Sequence, residues 1–390
     1  MRLLVISWNG GGNVPPAFGI ADELRRRGHQ VVFAGQELEE PAGTAPLTTY
    51  DTLERRCIQR GFDFLPLERS AARWRAEPPS GRRIATAMMA CAEHLLDVEE
   101  VTSGGPWDAV LVDCLMFGAL AALQDAALPL VVLVHSAPGL LMAPGGSFEA
   151  LLLAEVNQVR AMARLAALTR LWDAWAAFPT LCTTIAPLDP LAAQAPSSFD
   201  YIGPVFERTA PSSWRSPWRS EDSRPLVLVS FTTNPAWDQT SRIQRTLAAL
   251  ATRPYRILVT ASLADLSALD VPDNAVVVRH VPHGEVLPHV SVTVTHAGHG
   301  TVATCLANGV PVVSLPNPAA DQPPLAAQVQ RLGAGRALDG EAATPADIGL
   351  AVEEILSDPS YATVAAQLRD AIAATDAAST AATRLEWLAS

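Results

Sequence analysis

Residues 292–322, VTVTHAGHGTVATCLANGVPVVSLPNPAADQ, leave few folds open to the rest of the chain. An alternating run at 290–295 reads as a strand and breaks at Gly298 and Gly300. A helical segment over about 300–308 follows, then an apolar strand at 310–315 and a proline-rich loop ending in Asp321 and Gln322. Strand, glycine turn, helix and strand make one βαβ unit, and an open parallel sheet binds ligands where its strands end. Gly298 and Gly300 let backbone N–H groups approach a ligand without a Cβ in the way. The helix start presents unpaired donors and the positive end of a dipole to an anion, most simply a phosphate. Asp321 and Gln322 close the next loop on the same edge, where they suit hydroxyl groups. Phosphate beside hydroxyls points to a nucleotide-sugar. For the glycines alone, the plainer reading is a tight turn.

A chain of 390 residues exceeds one ordinary core and implies two domains of similar size. Charged residues at 17% and apolar ones at 49% favour a folded α/β protein over disorder. The net charge is −12, and all 28 basic residues are arginine. No basic stripe stands out, so nucleic acid is not an expected partner. The acidic balance would repel anionic lipid and suits a soluble, cytoplasmic enzyme. Cys57, Cys91, Cys114, Cys182 and Cys305 are scattered without metal spacing, and no metal is expected. The opening apolar run is too short for a signal peptide. Asp113, Gln124 and Asp125 interrupt the longest apolar stretch, so no membrane span is expected.

Along the chain, residues 2–7 read as a strand, and the turn NGGGN (9–13) leads into a helix running through Arg27. Pro15 and Pro16 sit where a helix start tolerates proline. A second strand follows at 31–34. This opening invites a dinucleotide reading, but Gly10, Gly11 and Gly12 are contiguous rather than spaced as G-x-G-x-x-G. Further expectations are a helix at 51–60, a strand near 62–65, a long loop at 69–83 and a helix at 84–101. The strand at 107–113 ends in Asp113, and the strand at 129–134 ends beside His135. A long helix is expected over 148–177. Trp74 and Met142 are candidates to line an apolar acceptor pocket. From 189 to 225 the chain turns irregular, and the segment after it repeats the opening pattern with a strand at 226–231 and a polar turn. The expected architecture is α/β, with two doubly wound Rossmann-like domains facing across a cleft. The domains are 1–205, a linker 206–225, a second domain 226–375, and a final helix 376–390 packing back on the first.

RHVPHGEVLP (279–288), THAGHGT (295–301), GVPVVSLP (309–316) and Asp321-Gln322, with RRRGHQV (25–31) and PLVLVSFTT (225–233), resemble family-one nucleotide-sugar glycosyltransferases of bacterial natural-product type. The resemblance implies the GT-B fold, with the acceptor on the N-terminal domain and the donor on the C-terminal one. It also implies inversion at the anomeric carbon without a metal. Thr232, Thr233, His296, Gly298, His299, Gly300 and Thr301 would then hold the diphosphate, His280 and Val281 would flank the base, and Asp321 and Gln322 would bond the sugar. The family's usual catalytic histidine falls on Asn13, which cannot take a proton. Asp113 and His135 are the reachable alternatives. The function implied is transfer of a sugar, a deoxysugar, from a dTDP- or UDP-linked donor to a hydrophobic natural product. The nucleotide-sugar is a co-substrate, and no other cofactor is expected. The alternative is a catalytically impaired nucleotide-sugar-binding or auxiliary protein of the same fold. Homodimerisation is left open.

Overall fold

The computed structural model describes residues 1–40, 51–78, 80, 82–207, 214–231, 237, 239–318 and 321–390. It divides into two compact units, Met1–Glu207 with Asp376–Ser390, and Arg208–Thr375. Each holds a parallel sheet.

In the first unit the strands are β1 (Arg2–Trp8), β2 (Gln30–Gln36), β3 (Asp63–Pro66), β4 (Ala109–Asp113), β5 (Leu130–Val134), β6 (Thr180–Cys182) and β7 (Phe199–Tyr201). Their spatial order is β3-β2-β1-β4-β5-β6-β7. Every residue of β4 and β5 is buried, because helices cover both faces of a doubly wound sheet. The pleat sorts alternate residues into two cores. Leu4, Ile6, Val110, Val112, Val132 and Val134 pack on one face, and Leu3, Val5, Leu111, Val131 and Leu133 on the other.

In the second unit the strands are β8 (Leu226–Ser230), β9 (Arg256–Thr260), β10 (Ala275–Val278), β11 (Val292–Thr295), β12 (Val312–Ser314) and β13 (Gly335–Ala337). They run β10-β9-β8-β11-β12-β13, all parallel. In both sheets the order reverses beside the first strand, between β1 and β4 and between β8 and β11. Such switch points open a crevice at the carboxyl ends of the strands.

The final helix, Ala377–Leu388, belongs to the first unit and buries Ala377, Ala381, Ala382 and Leu385 against Phe18, Ile20 and Leu24. Glu386 accepts hydrogen bonds from Arg27 at 2.8 Å and meets His29 Nε2 at 2.7 Å.

The expected helix at 84–101 is split into a π-helical turn, Ala85–Met89, and the helix His94–Ser103, and two further stretches differ from the sequence reading. The expected loop at 69–83 contains the helix Glu68–Ala76. Its first N–H groups are bonded by a carboxylate distant in sequence, Asp97, from Arg69 N at 3.1 Å and Ser70 N at 2.8 Å. The expected long helix at 148–177 is instead Ser147–Met162 and Trp172–Ala176. Between them Arg164 takes a left-handed φ of 61°. Asn157 then bonds Leu168 through both its amide and its carbonyl, and Arg160 donates to the Ala166 carbonyl at 2.8 Å. No helix among the described residues is long and apolar enough to cross a membrane.

Candidate active site

At the switch point of the first sheet, β1 delivers Trp8 and the turn to Asn13, β4 ends in Asp113, and His135 follows β5 directly. Asp113 is 2% exposed and fully engaged. Its Oδ1 accepts from Trp8 Nε1 at 3.2 Å and from the Leu115 N–H at 3.0 Å. Its Oδ2 accepts from Asn13 Nδ2 at 3.1 Å and lies 3.0 Å from His135 Nδ1. Burial pushes the Asp113 carboxyl up, but the His135 imidazole, the Leu115 N–H and the Asn13 amide outweigh it and hold the group below its ordinary value. Asp113 is therefore an ionised anchor for the imidazole.

Asn13 is 3% exposed and committed to the protein itself. Its Nδ2 donates to the Trp8 carbonyl at 2.8 Å as well as to Asp113, and its Oδ1 accepts from the Gly10 N–H at 2.9 Å. It closes the turn and steadies Asp113. The turn itself is moulded on Trp8, since a Cβ at Gly10 would meet that ring at 2.5 Å.

The structure corrects the acceptor-pocket expectation at Trp74 and Met142. Both are fully buried in the core, and the Arg83 guanidinium covers the Trp74 ring at 3.9 Å. Arg83 is paired with Glu40 at 2.8 Å. Neither side chain presents a surface to a ligand.

In the second unit, β11 leads through His296, Ala297 and Gly298 into the helix His299–Ala307. Ala297 has a left-handed φ of 61°, which turns the chain sharply and brings Gly298 over the imidazole. A Cβ on Gly298 would lie 2.4 Å from His296 Nε2, so glycine is required by this contact. Gly298 is the N-cap, has no side chain to cap the helix, and so leaves the positive end of the helix dipole at the carboxyl edge of the sheet. His299, Gly300 and Thr301 all lie in the first turn. His296 is 8% exposed. Burial first, then the Arg242 charge, pull its imidazole down to about 3. Near pH 7 the ring is therefore neutral.

Other donor-side residues reach the same sheet edge. His280 is exposed and Val281 buried in the loop after β10. His283 Nε2 lies 3.3 Å from Ser230 Oγ at the end of β8. After β12, the Leu315 N–H donates to the Thr295 carbonyl at 2.7 Å, tying the two loops together. Asp321 is the N-cap residue of the helix Gln322–Leu332. The Gln322 side-chain carbonyl accepts from the Asn317 N–H at 3.0 Å. Thr232 and Thr233 lie outside the described residues.

Sequence reasoning passed over two residues here. Asn317 is 0% exposed, and neither atom of its side-chain amide has a hydrogen-bond partner. A buried unsatisfied amide beside Gln322 is costly unless something bonds it, which makes it a donor-site candidate. Its place one residue past Pro316 was the only signal available. Arg242, buried in the helix Thr240–Leu250, acts on His296 from a distance in sequence that no local pattern reveals.

The two doubly wound parallel units, each with its polar groups at a switch point, make this a protein of the GT-B class. Residues 244–388 match the family described as Erythromycin biosynthesis protein CIII-like, C-terminal domain. The chain is similar to 4'-demethylrebeccamycin synthase of Lentzea aerocolonigenes, 36% identical over 196 residues, which cover 50% of this chain and 46% of that protein. It spans about half the length of the curated relatives it matches first. Among solved structures it resembles the glycotransferase of kitacinnamycin, with a TM-score of 0.79, 22% identity and coverage of 99% and 98%. It also resembles the glycosyltransferase VinC in complex with DTDP, with a TM-score of 0.72, 18% identity and coverage of 100% and 99%. These likenesses show the two-domain GT-B fold for the chain and an erythromycin CIII-like C-terminal domain over residues 244–388.

Proposed function

We propose that this protein is an inverting glycosyltransferase that moves a sugar from a nucleoside diphosphate donor to a hydroxyl of a hydrophobic natural product, with His135 as the base. The observation that carries the reading is the 3.0 Å pair of His135 Nδ1 and Asp113 Oδ2 at the switch point of the first sheet. With Nδ1–H donated to an ionised Asp113, the lone pair of the neutral ring is on Nε2. That nitrogen takes the acceptor proton as the acceptor oxygen attacks the anomeric carbon and the bond to the diphosphate breaks. Attack opposite the leaving group inverts the centre. The leaving diphosphate gains negative charge, which the first-turn N–H groups of His299–Ala307 and the His296 ring stabilise.

Asp321, Gln322 and Asn317 take the sugar hydroxyls in this reading, His280 and Val281 border the base, and Thr232 and Thr233 approach the diphosphate. A dTDP or UDP donor is supported by the likeness to VinC, solved with DTDP. A deoxysugar and an antibiotic-type acceptor are supported by the erythromycin-type C-terminal match. No step of this reaction needs a metal. The alternative of an impaired binding protein rests on Asn13 being unable to take a proton, and the neighbouring His135–Asp113 pair supports the catalytic reading instead.

The test is product mass spectrometry with a panel of dTDP- and UDP-sugars and aromatic or polyketide acceptors, using the native protein and His135→Ala. Glycosylated product is expected from the native protein, with kcat lower by about 10²–10⁴ in the variant and donor binding kept. Donor binding without transfer to any acceptor would favour the auxiliary reading. Full activity in His135→Ala would remove His135 as the base.

A further inference from the structure

Cys114 has no part in this chemistry, yet it stands beside it. Asp113 and Cys114 are consecutive at the end of β4, where the chain turns and the Cys114 N–H donates to the Leu133 carbonyl at 3.0 Å. That turn brings both side chains towards His135, which follows β5. His135 Nδ1 lies 3.0 Å from Asp113 Oδ2 and 3.7 Å from Cys114 Sγ. All three ligand atoms lie within 4.8 Å of one another. A tetrahedral ion with bonds of about 2.0 Å to nitrogen and oxygen and about 2.3 Å to sulfur needs donor atoms roughly 3.3–3.5 Å apart. The two measured separations bracket that range.

We propose that Asp113 Oδ2, Cys114 Sγ and His135 Nδ1 form a three-ligand site for zinc(II) or another divalent ion of like softness, and that filling it switches off the base. One thiol, one imidazole and one carboxylate suit zinc or cobalt rather than magnesium or calcium, which want oxygen donors. The carboxylate is already oriented from behind by Trp8 Nε1, the Leu115 N–H and Asn13 Nδ2, as ligands in metal sites commonly are. The ion takes the place of the proton that Nδ1 shares with Oδ2. A neutral imidazole that binds an ion through Nδ1 carries its one proton on Nε2, so the lone pair needed by the acceptor is gone. The Cys114 proton leaves to solvent as the sulfur binds, so uptake strengthens as pH rises. Metal uptake stands on the geometry alone, whereas the switch rests on His135 acting as the base.

Cobalt(II) chloride titrated into the whole chain, with no donor or acceptor present, tests the site. An intense near-ultraviolet thiolate-to-cobalt charge-transfer band is expected from the native protein, and its loss from both Cys114→Ala and His135→Gln, with circular dichroism confirming that each variant is folded. Absence of the band in the native protein, or an unchanged band in either folded variant, overturns the site. Zinc competition against a chromophoric chelator repeats the measurement without relying on colour. In the transfer assay zinc should inhibit the native protein reversibly, with EDTA restoring activity. Cys114→Ala should keep its activity and need at least about tenfold more zinc. A cobalt band with no zinc inhibition overturns the switch and the base assignment while leaving the site. If no transfer is found with any substrate, the cobalt arm still decides the site.

Discussion

At the scale of single residues, the chemistry of this chain turns on which side chains are already spoken for. Asn13 stands where the family resemblance places a histidine, but it uses its oxygen and its amide hydrogens on Gly10, Trp8 and Asp113. It is a strut, and Asn13→Ala leaves a buried N–H and part of a buried carboxylate unpaired. That variant should lose about 1–3 kcal/mol in urea unfolding, together with transfer rate, because Asp113 then holds His135 less firmly. On the donor side, Gly298→Ala should weaken dTDP binding by roughly tenfold in calorimetry, an interaction loss of about 1.4 kcal/mol. The new Cβ would lie 2.4 Å from His296 Nε2 and push the ring aside. Unchanged affinity in a folded Gly298→Ala protein would show that His296 does not touch the diphosphate.

Elements are the scale at which sequence periodicity served well for strands and less well for short helices. The final helix shows the strength of local pattern: its buried residues Ala377, Ala381, Ala382 and Leu385 recur at helical spacing. Leu385→Ala should cost about 2–5 kcal/mol, read as a lower urea midpoint. Glu386→Gln should cost under about 1 kcal/mol, since its pairs with Arg27 and His29 are partly exposed. An equal loss in the two would mean that the ion pairs, not the apolar stripe, hold the helix. Trp387 in the same helix lies outside the buried stripe and is 69% exposed. The helix Glu68–Ala76 shows where local pattern runs out. Its buried stripe is only Ser70, Ala71 and Trp74, and its start is bonded by Asp97 from another helix. The break after Met162 has the same origin, because Asn157 and Arg160 reach forward to bond the chain that leaves the helix.

Over the whole molecule, buried histidines set the response to acid. His94 is 0% exposed, meets Gln36 Oε1 at 2.9 Å, and is pulled down to about 4 chiefly by burial. In the unfolded chain its ordinary value is near 6.5, so between about 6.5 and 4 the unfolded state binds the extra proton. Stability therefore rises with pH across that window and is lost on acidification. The loss from this group at pH 5 is on the order of 2 kcal/mol relative to pH 7.5. Urea unfolding at the two pH values should show a smaller acid loss in His94→Gln than in the native chain. Equal losses would mean that His94 is protonated at no cost in the folded state.

Much of this was written in the sequence, for a physical reason in each case. Two parallel α/β units were legible because strands buried on both faces must be apolar along their length, as β5 is and as β4 and β8 are up to their last residues, Asp113 and Ser230. The glycine turn between β11 and the helix His299–Ala307 was legible because it is local, and residues 295–301 contain all of it. Residues that meet through the sheet were not legible in the same way. Asp113 and His135 could each be named as candidates, but only parallel pairing of β4 with β5 brings them to 3.0 Å and sets Cys114 beside them. Likewise, only packing could say that Trp74 and Met142 belong to the core, since an apolar side chain reads the same in a pocket or beneath one. Sequence determined the kind of sheet and the donor turn. Tertiary structure decided which histidine is held by a buried carboxylate, because that depends on neighbours the chain meets only after it folds.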